Sequence, residues 1–186
     1  MRAWTALAAA ALLSACAFWS SEPLFSENEA ASPFADGQVV LWRENGASEE
    51  AQRLVYRRAG NRYNLSSFEE GESPIPVLFF SVSDTPEEDY IVQTPLEKGE
   101  QSRVYVFMWR TEQGFRFVSA PRSLEAAPGA AQALSELCVQ RPNGECRLAR
   151  REDVLALYTR LVYPTFVAGG ATPSSYIDQI AVSGDE

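Results

Sequence analysis

The sequence predicts an α+β fold: an antiparallel up-and-down meander of about seven strands, a bent sheet or partial barrel, followed by C-terminal helices. Three observations predict it. Short β-rich runs separated by turn signals fill residues 37–118, as in a series of hairpins. One run, Val104-Tyr105-Val106-Phe107-Met108-Trp109, is apolar on both faces, as a strand is when each side is covered. After residue 128 the apolar spacing changes to that of a helix, so the cover comes from the end of the chain. No repeat at solenoid spacing is visible.

The strands follow in order. Val39-Val40-Leu41-Trp42 is a short β run, and Asn45-Gly46 after it is a turn pair. Residues 53–57 alternate, with Leu54 and Tyr56 on one face; Ala59-Gly60-Asn61 turns the chain, and Tyr63 and Leu65 continue the alternation. That is a hairpin. Residues 69–74 form a loop before Val77-Leu78-Phe79-Phe80-Ser81-Val82, again apolar on both faces. Asp84, Glu87, Glu88 and Asp89 crowd the next loop. They lack the ligand order of a calcium loop and read as a solvated hairpin tip. Tyr90-Ile91-Val92 is the next strand, 95–101 a loop, and 103–110 the central strand. Gln113-Gly114 turns it into a last strand in which Phe115 and Phe117 share a face.

The helices come next. Ala130, Ala133, Leu134 and Leu137 lie at helical spacing, as do Val154, Leu157, Tyr158 and Leu161. Glu152 and Asp153 suit the first turn of the second helix, and Pro164 should end it. Thr172-Pro173 reads as an N-cap and first-turn proline, opening a short helix with Tyr176, Ile177 and Ile180.

The start of the chain carries an address. Arg2 supplies a positive charge, and residues 4–13 are apolar except for Thr5. This is the layout of a secretory signal and is too short to span a bilayer. Leu13-Ser14-Ala15-Cys16 resembles the lipobox of bacterial lipoproteins at every position. The resemblance implies removal of residues 1–15 and lipidation of Cys16. Several acyl chains hold a protein firmly where one does not. The same resemblance, with Ala17 in place of an aspartate, implies the outer membrane facing the periplasm, and Phe18 and Trp19 would lie at headgroup depth. Residues 16–36, rich in Ser, Glu, Ala and Pro, read as a lipidated flexible tether reaching about 25 Å. Residues 37–186 read as one domain.

Composition narrows the partners. Loss of residues 1–15, which hold Arg2 and no acid, takes the net charge from −9 to −10. That balance opposes nucleic acid as a partner and leaves the lipid to hold the membrane. An envelope protein or the cell wall is the other candidate partner. With Cys16 given to lipid, Cys138 and Cys146 remain as a pair, and an oxidising compartment favours a disulfide. The alternative, a metal or redox pair, is opposed by a spacing that is not C-x-x-C and by the absence of histidine.

The absence of histidine also removes Ser-His-Asp and Cys-His catalysis. No phosphate-cradling glycine motif and no nucleophile elbow is present, so no cofactor, metal or catalytic residue is assigned. Tyr56, Arg57, Arg58, Arg62 and Tyr63 form a candidate ligand-binding patch around the Gly60-Asn61 turn, suited to an anion or a peptidoglycan fragment. Tyr105, Phe107 and Trp109 alternate on one strand face and read as core. The function expected is a non-catalytic envelope lipoprotein. The alternatives are a carrier of a small apolar ligand or lipid in a β-barrel cavity, and a periplasmic inhibitor of a hydrolase.

Overall fold

The computed structural model describes residues 17–44, 51–67, 73–82, 88–96, 101–140 and 145–182. The expected Asn45-Gly46 turn and Cys16 lie outside them, as do Asp84 and Glu87. Among the described residues eleven strands belong to one sheet: β1 (Phe18–Ser20), β2 (Gln38–Glu44), β3 (Gln52–Ala59), β4 (Arg62–Ser67), β5 (Ile75–Ser81), β6 (Tyr90–Pro95), β7 (Arg103–Thr111), β8 (Gly114–Val118), β9 (Val139–Gln140), β10 (Cys146–Arg147) and β11 (Ile177–Ala181).

Eight of these strands close into an antiparallel barrel. β2 to β8 pair in chain order, and β11 pairs with both β8 and β2 to complete the ring. The meander expected from the sequence is therefore present and is a closed barrel. The closing strand lies where a helix was expected after Pro173. The reason is Gln179. It faces inward at 1 % exposure, and its Oε1 accepts the Tyr56 hydroxyl at 3.1 Å. A polar side chain inside the barrel interrupts the apolar alternation that marks a strand, leaving the Ile177–Ile180 spacing to suggest a helix. On the outer face Asp178 meets Arg116 through two hydrogen bonds, at 2.7 and 3.1 Å.

Two apolar cores share the barrel wall. Inside lie residues such as Val40, Leu54, Tyr56, Val77, Phe79, Val106 and Phe115. Outside, against β5 to β8, lies a layer built by α1 (Ala130–Leu137), α2 (Arg151–Leu157) and a π-helix, Tyr158–Val167, that continues α2. β7 shows why both of its faces are apolar. Val104, Val106 and Met108 enter the barrel, while Tyr105, Phe107 and Trp109 meet the outer layer. Pro164 does not end the second helix. In an α-helix its ring would strike the carbonyl four residues back; the wider π turn continues past it, with the Ala168 N–H bonded to the Tyr163 carbonyl at 2.8 Å. Asp89 is also unlike the tip expected of it. It is buried and accepts the Tyr158 hydroxyl.

Residues 17–36, expected as a flexible tether, run along the barrel. Phe18, Phe25 and Phe34 explain why: each fills a gap in one of the two cores. Phe18, expected at headgroup depth, is fully buried, its ring 5.4 Å from that of Phe107. Phe25 stacks on Phe80 at 4.8 Å. Phe34 enters the barrel and stacks on Tyr56 at 4.4 Å. Composition alone suggests disorder here, but three buried rings offset the entropy of ordering the segment.

The Cys138–Cys146 disulfide is formed, with the Cα atoms 5.0 Å apart. It joins the end of α1 to β10 across the β9–β10 pair.

Candidate functional site: a cavity at one end of the barrel

The alternation that builds the barrel sends apolar side chains inward. Polar residues such as Arg53, Arg57 and Asn64 take the alternate positions on β3 and β4. On these two strands that is the reverse of a barrel that crosses a bilayer, which is apolar outside. An inward apolar set this large must be close-packed or leave a space.

The two ends of the barrel differ. At the end where the β3–β4 turn lies, Phe34 acts as a stopper. Besides stacking on Tyr56, it meets Phe79, Tyr63 and Phe115 edge-on at 5.3, 6.2 and 5.5 Å. Its backbone is fixed by Tyr63, whose hydroxyl donates to the Phe34 carbonyl at 2.5 Å and accepts the Phe34 N–H at 3.3 Å. The Arg58 N–H donates to Asp36 Oδ1 at 2.8 Å and pins the segment beside it.

The other end holds a cavity of about 70 Å³. Tyr56 and Phe79 lie on its stoppered side. Trp42, Leu54, Leu65, Val77, Val92, Val104, Val106 and Phe117 form its walls. Gln52, Ser66, Ser67, Ser73, Ile75 and Thr94 line it near the strand ends. Residues 45–50, 68–72 and 97–100 lie outside the described residues.

The electrostatics are those of a neutral site. Among the described lining residues none is charged at neutral pH. Burial pushes the Tyr56 phenol well above its ordinary range; the Trp42 indole beside it pulls the other way and does not prevail. Tyr56 therefore stays protonated and serves as a hydrogen-bond donor to Gln179. The Trp42 Nε1 is itself buried and meets no acceptor within hydrogen-bond geometry among the described residues. Such a space offers dispersion and apolar contact, with neutral hydrogen-bonding groups near its edge. Among the described residues no three His, Cys, Asp or Glu side chains converge to hold a metal.

Of the five residues expected to form a ligand patch, only Tyr56 reaches the cavity. Tyr63 lies inside the barrel beside Phe34. Arg57, Arg58 and Arg62 are exposed at the opposite, stoppered end; Arg58 donates to the Gly60 carbonyl at 3.2 Å. The structure thus does not gather the five on one surface. The cavity walls had a signal in the sequence, the two-residue alternation of Leu54/Tyr56 and Val77/Phe79. The residues near the edge had none, because serines at strand ends look like any loop approach.

No family model, no curated protein and no solved structure matches this chain.

Proposed function

We propose that this protein is a lipid-anchored, non-catalytic envelope protein whose barrel takes up a small apolar group. The anchor rests on Leu13-Ser14-Ala15-Cys16 and its resemblance to a lipobox. The binding role rests on one observation: an uncharged, apolar-walled cavity at one end of a barrel stoppered at the other.

The volume limits the ligand. About 70 Å³ is roughly half of the ~150 Å³ apolar cavity that admits benzene. It is far below the roughly 300–1,000 Å³ that encloses a drug-sized molecule. The space suits the end of an alkyl chain or a short branched group, with the rest of the molecule outside. Burying four or five methylenes yields about 3–4 kcal/mol, which corresponds to affinities on the order of millimolar.

A titration with straight-chain alcohols of increasing length tests the reading. Trp42 lines the cavity, so its emission reports occupancy. Affinity should rise with each added methylene until the space is full and then level off. Val92→Phe, which fills the space from one wall, should abolish the response. Equal weak responses at all lengths, unchanged in the variant, would defeat the proposal.

A further inference from the structure

The lipid anchor of the preceding reading and the burial of β1 have a joint consequence for how the domain meets the membrane. β1 is held on both edges, by β7 and by β10. The Ala17 carbonyl accepts the Cys146 N–H at 3.1 Å, the Phe18 N–H donates to the Ser119 carbonyl at 3.3 Å, and the Trp19 carbonyl accepts the Leu148 N–H at 2.7 Å. Ala17 is 6 % exposed and Phe18 is fully buried. The wall of the domain therefore begins one residue after Cys16. Adjacent Cα atoms are about 3.8 Å apart, so lipid on Cys16 would be joined to the domain by a single peptide unit.

We propose that the three-strand wing β1–β10–β9 rests directly on a lipid leaflet, with no free spacer between the lipidated Cys16 and the domain. The wing has a face suited to that position. Trp19 lies opposite Arg147, and Arg147 lies opposite Val139, so the three residues form a row on one face. Arg147 is exposed, Trp19 is half-buried, and Val139 is a large apolar side chain at 54 % exposure. Aromatic rings favour headgroup depth, guanidinium groups favour anionic lipid, and an exposed valine gains by leaving water. The net negative charge of the chain gives its surface as a whole no such attraction. The wing thus sets the orientation in which the barrel is presented.

The proposal rests on the lipidation of Cys16, and the test separates the two. The mature, lipidated chain is reconstituted in phosphatidylcholine–phosphatidylglycerol vesicles whose acyl chains carry bromine near the headgroup, and tryptophan quenching is measured on vesicles recovered by flotation. Two variants accompany it: Trp19→Phe, and a chain with a flexible Gly/Ser insert of roughly ten residues between Cys16 and Ala17. Such an insert lets the domain range over about 17 Å. The expected result is quenching of the native chain, its loss in Trp19→Phe, and a drop of roughly twofold or more with the insert. A floated native chain without quenching, or equal quenching with the insert, would overturn the direct seating and leave the anchor standing. Failure to float, with an unmodified Cys16 in the mass spectrum, would refute both.

Discussion

The Phe34 ring lies flat against that of Tyr56, with 4.4 Å between centroids and 6° between planes. The two come from different parts of the chain: Tyr56 belongs to the wall, and Phe34 arrives from the segment ahead of the barrel. Their contact closes one end of the barrel and makes that segment part of the fold.

Phe34→Ala removes the stopper and leaves a void among Tyr56, Tyr63 and Phe79. A Phe→Ala change in a core costs about 3–5 kcal/mol, and urea denaturation should show a loss of that size. A loss under about 1 kcal/mol, the range of a surface change, would mean that the ring does not occupy the barrel.

Gly114 approaches the closing strand too tightly for any side chain. A Cβ there would sit 2.0 Å from the Gln179 carbonyl oxygen, at a φ of +150°. Gly114→Ala must therefore push β8 and β11 apart, with a cost at the diagnostic end of single substitutions, above about 4 kcal/mol. Gly60→Ala is the control. Its φ is +68° with open space around it, so it should cost only about 1 kcal/mol. Similar melting temperatures for the two variants would place the barrel seam elsewhere.

Alkaline pH should unfold the protein through its buried tyrosines. Burial raises the Tyr56 phenol above its ordinary 10.0. Burial raises Tyr105 as well, opposed by its hydrogen bonds with the Ser20 hydroxyl and the Leu24 N–H. A raised folded-state value means that the stabilising contribution is complete below the unfolded value near 10 and is lost as pH rises beyond it. For Tyr56 the loss approaches about 1.4 kcal/mol per pH unit. Thermal melts from pH 9 upward should fall more steeply in the native chain than in Tyr56→Phe; parallel curves would contradict the burial of that phenol.

Replacing both Cys138 and Cys146 by serine opens a loop with a sequence separation of 8. Loop-closure entropy predicts a loss of roughly 2–3 kcal/mol, measurable by guanidinium unfolding. Because β10 holds β1 through the N–H groups of residues 146 and 148, hydrogen exchange at those two amides should accelerate with it. Unchanged protection there would show that the β1–β10 pairing does not depend on the disulfide.

Much of the barrel was legible in the sequence, and the reason is periodicity. Leu54, Tyr56, Tyr63 and Leu65 alternate cleanly, and the both-face apolar run of β7 correctly requires cover on each side. What was not legible depended on distant partners. β11 is hidden by Gln179, whose inward place makes sense only once Tyr56 is opposite. The segment 17–36 looked free because Phe18, Phe25 and Phe34 stand singly among polar residues; only the assembled walls supply the holes they fill. The cavity is a gap left by the sum of many side chains, and no single residue announces it.

The central claim is that the uncharged space beside Tyr56 and Phe79 takes an apolar group, and methyl-resolved NMR tests it most directly. The Leu54, Leu65, Val77, Val92, Val104 and Val106 methyls line the space, while Leu124, Leu148, Val154 and Leu161 lie in the outer layer. Titration with 1-hexanol should shift the first set in a saturable manner and leave the second in place. Shifts confined to the outer layer, or spread evenly over both sets without saturation, would contradict the account.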